Sequence, residues 1–524
     1  MTADIGSDRV FVLGLDGIPW RLLERWTSDG SLPNLARLVD EGAAGPLRSS
    51  IPPTTAVAWP SIVTGVGPDH HGIYSFRKLT SSYGHEVNTS VDRQTAALWD
   101  MHSPAMVANV PMTYPAQTID GMLVAGMMAP RIDEEFTHPS SFAGELERTI
   151  PEYQIGLSWS EYAGRESTFL DDLSSLVSAT RQLMRRLMDE DDWRLFFYVY
   201  TAPDRLQHLI WDESVIYEHY RELDDIVGEV MAYVEDKNAT LYVVSDHGFG
   251  PIDGLVRINR ILENAGFLTP EQGASRDLLS SLGLTKDTVL NTAARFNLDT
   301  FLLERLPQSI LERFAASVPG SHGLFDVDFS TTQAFAYGTR SIYINDDRFD
   351  EGIVQPSERA AVKDRVRAAL EAVTVPNTSE PLLTVYDGDD IYPTDRASPD
   401  LIVEAVSGYL ADTGLEGPVI GPADRDGAHE QEGIFLAWGA DVAAGSSPTG
   451  ATVFDVTPTI LHGVGKSVPG ITNGRVLTEI FEPDSEPGQR AVRTADYDDI
   501  GERGAVDADF SEVENRLRGL GYIE

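Results

Sequence analysis

PPTTAVAWPSIVTGVGPDHHGI, residues 52–73, is the stretch around which the chain is organised. A proline pair sets a turn, two threonines follow, and an apolar segment of helical length runs to Thr64 and Gly65. A threonine at such a break suits a helix N-cap, its hydroxyl facing the unpaired N–H groups of the first turn. That end of a helix carries partial positive charge and accommodates an anion such as a phosphoryl group. Taken alone, the pattern is also that of an ordinary capped helix. Its weight comes from acidic and histidine pairs elsewhere, which fall at the ends of several apolar runs and can converge on this turn.

VFVLGL (10–15) is a continuous apolar run, the mark of a strand buried on both faces, and Asp16 and Gly17 follow it. In open α/β sheets ligands bind outside the carboxyl ends of the strands, where Asp16 then stands. RLFFYVY (194–200) is a second such strand, followed by TAPDRLQHLIWD. Asp204 and His208 are four apart, so on a helix they share one face and can share one cation. TLYVV (240–244) is a third, ending in Ser245, Asp246, His247 and Gly248. An adjacent carboxylate and imidazole suit zinc or manganese. His429 sits in a glycine-flanked segment read as a flexible loop before a further strand at 434–438. His70 and His71 are neighbours whose side chains diverge, and they read as structural.

Shorter strands are expected at 106–110, 122–125, 335–345 and 401–404. Amphipathic helices are expected at 19–26, 32–43, 142–150, 169–188, 222–234 and 357–373, the last capped by Ser357. Strands alternating with helices specify an α/β fold. Residues 251–333 change texture and read as a helical insertion over the strand ends, and the segment after residue 481 as an acidic tail with a terminal helix at 510–523.

Composition narrows the function. With 82 acidic against 40 basic residues the net charge is −42, and only five of the basic residues are lysine. No basic stripe exists to neutralise phosphates, so nucleic acid is not an expected partner. Carboxylates spread along the whole chain resemble the composition of halophile proteins that work in concentrated salt. Cysteine is absent, which excludes disulfides, thiolate-bound zinc and a cysteine nucleophile; a metal must be held by Asp, Glu and His. No apolar run approaches the roughly 20 residues of a membrane span. The first residues lack a basic and apolar leader, so a cytoplasmic location is expected.

Several of these stretches together resemble the alkaline phosphatase-like superfamily, and within it the type I phosphodiesterase/nucleotide pyrophosphatase branch. They are LGLDG (13–17), LPNLARLVDEG (32–42), TTAVAWPSIVTGVGPDHHGI (54–73), PDRLQH (203–208), SDHGFGP (245–251), AHEQEGIFLAWG (428–439) and DVTPTILHGVGKSVPGITNGRVL (455–477), in the family's order over residues 1–481. The resemblance implies a three-layer sandwich with a mostly parallel central sheet, and a catalytic domain over 1–481. It implies two divalent metal ions, Zn2+ or Mn2+. Asp204, His208 and His429 would hold one; Asp16, Asp246 and His247 would hold the other, with Thr55 bridging towards it. Counting back from Thr64 and Gly65, the nucleophile position falls on Thr55, with Thr54 its competitor. The implied activity is metal-dependent hydrolysis of phosphodiester or phosphoanhydride bonds in a small nucleotide-like substrate, through a phosphothreonine. Phosphomonoesterase, phosphomutase and phosphoglycan transferase activity are alternatives within the superfamily. The chain departs from the branch at Ala58, where an asparagine that helps hold the phosphoryl oxygen is implied. Arg205, Arg340, Arg425 or backbone N–H groups are the candidates to replace it.

A surface this acidic repels itself when salt is dilute. The thermal unfolding midpoint is therefore expected to be higher in molar KCl than at about 0.1 M, where the screening length is about 10 Å. A midpoint unchanged or lowered by salt contradicts the reading.

Overall fold

The three apolar runs are the centre of an eight-stranded sheet. A computed structural model describes residues 8–271, 327–338, 340–423, 425–497 and 511–520. Its sheet strands are Val10–Leu15 (β1), Ala43–Arg48 (β2), Ala105–Ala108 (β3), Gly121–Val124 (β4), Thr137–His138 (β5), Leu195–Tyr200 (β6), Thr240–Val244 (β7) and Glu432–Trp438 (β8). Their order is β2-β8-β7-β1-β6-β3-β4-β5. The five strands β7-β1-β6-β3-β4 are mutually parallel, and antiparallel pairs flank them at β8 and β5. This is a mixed α/β fold with a large, mostly parallel central sheet.

Alternation along β6 shows how both faces are covered. Phe196 stacks on Phe11 at 4.5 Å and meets Tyr233 of the helix Glu213–Lys237, and the Tyr198 hydroxyl donates to Thr180 O in the helix Glu166–Met188. Phe197 points the other way, against Trp59 of the helix Thr55–Thr64 and against Trp99. Successive side chains of a strand face opposite sides, so helices lie on both faces of the sheet.

Several expectations shift. The helix expected to reach residue 43 ends at Glu41, and Ala43–Arg48, for which no strand is expected, is the edge strand β2; its Pro46 is tolerated because an edge need not donate on both sides. Residues 335–345, read as one strand, form a hairpin, Ala334–Tyr337 and Ser341–Ile344, that turns at Gly338 with φ +64°. With Leu401–Ala405 and Leu383–Asp387 the hairpin builds a separate four-stranded antiparallel sheet with its own core. The helix there is Arg359–Glu371, preceded by Glu358 rather than capped by Ser357; Arg359 is anchored by an ion pair with the buried Asp400. Within the expected helical insertion, residues 251–257 continue the strand Gly248–Arg257, and the helix Ile258–Asn264 follows. Residues 272–326 of that insertion lie outside the described residues.

Over residues 482–497 the chain stays on the body. Thr494–Ala495 pairs with Val468–Pro469, and Arg490 donates to His462 O at 2.5 Å. The terminal helix is Ser511–Gly519, with Val513 and Leu517 buried in the main core.

Gly14, near the end of β1, is where the helix Thr55–Thr64 comes close to the sheet. A Cβ there would lie 2.4 Å from Trp59 Cη2 and 2.8 Å from Val199 Cγ2. Gly14→Ala is therefore expected to destabilise the fold by about 1–3 kcal/mol, the range for overpacking a core. Urea unfolding reads this directly, and an unchanged midpoint contradicts it.

Candidate active site

The strands β7, β1 and β6 are neighbours and end level, Gly14 lying beside both Val244 and Val199 and Leu15 beside Tyr200. The residues that follow them are thereby set side by side: Asp246 and His247, then Asp16, then Asp204 and His208. The latter two lie on one face of the helix Ala202–Leu209. His429 is not in a flexible loop. It lies in the strand Gly427–Glu430, opposite Phe249 in an antiparallel ladder with Gly248–Arg257. Because β8 enters the sheet antiparallel to β7, the strand just before it is delivered to the same end.

Thr55 arrives from the other direction, as the first residue of the helix Thr55–Thr64, with Thr54 at the N-cap and no side-chain cap bond. The expected capping hydroxyl is thus absent; instead Thr55 Oγ1 lies 3.2 Å from His247 Nε2. Thr55 is wholly buried and Thr54 half-buried.

All seven expected residues come together. His429 Nε2 is 3.1 Å from Asp204 Oδ1 and 3.0 Å from His208 Nε2, and His208 Nε2 is 3.4 Å from the same carboxylate oxygen. His247 Nε2 is 3.3 Å from Asp246 Oδ2 and 3.5 Å from Asp16 Oδ1. Single ligand atoms of Asp16, Asp204 and His247 also lie within 4.8 Å of one another, so Asp204 stands between the two groups rather than in one alone.

Residues that the sequence does not single out aim these groups. His247 Nδ1 lies 3.0 Å from Gly248 O and His429 Nδ1 3.1 Å from Pro53 O. A carbonyl only accepts, so each Nδ1 carries the proton and each Nε2 turns a lone pair inward, the form a metal ligand needs. The Trp59 indole donates to Asp16 Oδ2 at 3.1 Å, the Gly17 N–H donates to Asp246 Oδ1 at 3.4 Å, and Gln207 holds Gly17 O at 2.8 Å. Gly17 takes φ +76°, and a Cβ there would lie 3.2 Å from Asp204 Cα.

The donors fit divalent cations. Asp16 Oδ1 and Asp246 Oδ2 are buried without a hydrogen-bond partner among the described residues, an expensive state for a carboxylate oxygen unless a cation meets it. Burial, reinforced by Asp204, pushes the Asp16 carboxyl up to about 8. Burial and then Asp16 push Asp246 well above the usual range. Burial also raises Asp204, but His208 and His429 outweigh it and hold that carboxyl well below. The imidazoles of His247 and His208 are pushed down by burial, His208 to about 4, which keeps them neutral and able to ligate.

The remaining candidates are placed as follows. His71 is buried, its Nε2 3.1 Å from the Ser61 hydroxyl, and the His70–His71 pair closes the short helix Pro68–His71. Arg205 is buried beside Asp204, Arg340 donates to His429 O at 3.2 Å, and the Arg425 guanidinium lies 5.4 Å from the Trp159 ring centroid. Ala58 is wholly buried one turn after Thr55, its N–H donating to Thr54 O.

The family model for type I phosphodiesterase / nucleotide pyrophosphatase matches residues 10–432. Among solved structures, murine ectonucleotide pyrophosphatase/phosphodiesterase 5, as an inactive threonine-to-alanine variant in complex with AMP, aligns with a TM-score of 0.52 at 13% identity, covering 90% of this chain and 100% of that one. A second structure of the murine protein gives 0.51, and the human protein gives 0.50, each at 13% identity over 89% of this chain and 97% of the other. At that identity the likeness bears on the fold. No curated protein matches the sequence.

Protons and cations compete at Asp16. Below about 8 the buried carboxyl holds a proton that an incoming cation must displace, and above it the carboxylate is already ionised. Apparent Zn2+ affinity is therefore expected to rise with pH through about 8, with proton release on binding. Chelator competition across the range reads this, and an affinity independent of pH contradicts it.

Proposed function

The chain belongs to the type I phosphodiesterase/nucleotide pyrophosphatase family, and on that footing we propose that it hydrolyses phosphodiester or phosphoanhydride bonds of a nucleotide-like substrate through a transient phosphothreonine at Thr55. Two divalent cations, Zn2+ or Mn2+, are assigned to Asp16, Asp246 and His247 on one side and to Asp204, His208 and His429 on the other. Asp204 is near enough to both groups to link them. When bound, such cations lower the pKa of a hydroxyl or water beside them and neutralise the charge that builds on the phosphoryl oxygens.

The observation that carries the reading is the Thr55 hydroxyl, buried at a helix N-terminus and aimed at His247 Nε2 from 3.2 Å. In the first step the Thr55 hydroxyl gives up its proton to solvent and its Oγ bonds to phosphorus as the ester or anhydride oxygen leaves in line and is protonated by solvent. A water oxygen then bonds to phosphorus as it loses a proton to solvent, the Thr55 Oγ–phosphorus bond breaks, and Thr55 Oγ takes up a proton. The first intrahelical bonds here are those from Val57 N and Ala58 N to Thr54 O. The amides of Thr55 and Ala56 thus head the helix, where its dipole favours phosphoryl oxygens, and they take the place of the side chain missing at Ala58. The murine relative supports both the nucleotide-like class and the threonine role: that protein is inactive with a threonine replaced by alanine, and it is found in complex with AMP.

Thr55→Ala is expected to lower kcat on a bis-nitrophenyl phosphate diester by at least about 10³-fold while cation affinity stays near wild type. Full activity in that variant refutes the nucleophile. A nitrophenyl monoester run alongside in molar salt separates the diesterase from a phosphomonoesterase, and recovery of phosphate on a non-water acceptor would mark a transferase.

A further inference from the structure

Each of the three imidazoles at the site is aimed by something. Carbonyls of Pro53 and Gly248 hold His429 and His247. Beside its contacts to Asp204 and His429, the His208 ring is packed between aromatic side chains. The Trp159 indole lies against it with centroids 5.1 Å apart and planes within 16°, and Phe249 meets it edge-on at 4.8 Å and 79°. On Trp159 itself lies the Arg425 guanidinium, 5.4 Å from the ring centroid.

Two observations bear on the role of Trp159. The ring is 7% exposed, yet its Nε1 is buried with no hydrogen-bond partner among the described residues. A buried donor without an acceptor costs stability, so packing alone is served better by phenylalanine. The segment that carries it, Trp159–Tyr162, is also pinned from outside the active-site strands. It touches both the helix Ala202–Leu209, which bears His208, and the helix Ser511–Gly519. From that last helix Arg516 Nη2 donates to Gly156 O at 2.8 Å, three residues before Trp159.

We propose that Trp159 is a positioning residue for cation binding, whose indole face, stacked on His208 and held by the helix Ser511–Gly519, fixes the imidazole in the orientation that completes the Asp204–His208–His429 group. The flat π face restricts turning of the ring about Cβ–Cγ. Arg425 adds to the stack through attraction between its charge and the electron-rich indole face. The inference rests on the cation assignment made above.

The test compares Trp159→Phe with Trp159→Leu in the full chain. Both replacements are apolar and fill much of the volume, but only phenylalanine presents a face to His208. Zn2+ alone is the probe, titrated against a chromophoric chelator, with circular dichroism and the melting midpoint as controls for folding. The expected result is two Zn2+ per chain in all three proteins. In Trp159→Leu the weaker site loses about 10- to 100-fold in affinity, the range for residues that orient metal ligands, and Trp159→Phe stays within about 3-fold of wild type. The melting midpoint of Trp159→Phe is expected to match or exceed wild type. Equal affinity in the leucine variant and wild type overturns the proposal and leaves the cation assignment standing. Equal loss in both variants overturns it too, since the face is then not what matters. A wild-type protein that takes up no Zn2+ overturns both.

Discussion

Three carboxylates, those of Asp16, Asp204 and Asp246, are removed from water together at one end of a sheet, and the rest of the site is arranged around the cost of doing so. Two like charges about 4 Å apart repel by about 4 kcal/mol even at an effective dielectric constant of about 20. The protein meets part of that cost itself. Trp59 and the Gly17 amide each donate to one carboxylate, and His208 and His429 hold Asp204 ionised. What is left over, the oxygens of Asp16 and Asp246 that lack a partner among the described residues and the raised pKa values of both groups, is a demand for positive charge of the kind divalent cations would satisfy.

Precise register makes this concentration of charge attainable. Parallel pairing sets Gly14, Val199 and Val244 in one row, so the residues beyond three different strands begin at one level. Gly14 then does a second thing: its missing side chain admits the Trp59 ring, whose Nε1 reaches Asp16. Trp59 and Thr55 sit one turn apart on the same helix, so one packing contact seats Thr55 and clamps a carboxylate. Antiparallel entry of β8 brings His429 in from the opposite side, and the carbonyl of Pro53, two residues before Thr55, orients it. The Thr55 turn and the histidine group are thus mechanically one unit.

Much of this is legible in the sequence for a definite reason. Asp16, the Asp204–His208 pair and the Asp246–His247 pair each follow a long apolar run, and a strand buried on both faces declares its own end. His429 has no such run before it. GAHE is a four-residue ladder partner whose strand character depends on Gly248–Arg257 lying opposite, and that partner is itself masked by three glycines and a proline. Its own residues read as a flexible loop, and only the family resemblance marks it as a ligand. The edge strand Ala43–Arg48, with a glycine and a proline, is obscured in the same way. Trp59, Gly14, Pro53 and Trp159 leave no local mark at all, because their roles exist only in contacts between segments far apart in the chain.

The decisive question is whether phosphorus is attacked twice. A diester made chiral at phosphorus by isotopic or sulfur substitution, cleaved in heavy-oxygen water, reports this in the configuration of the product. Each in-line displacement inverts the centre, so transfer to Thr55 followed by transfer to water predicts overall retention. Inversion would mean that water attacks the substrate directly, and it would contradict a covalent role for Thr55.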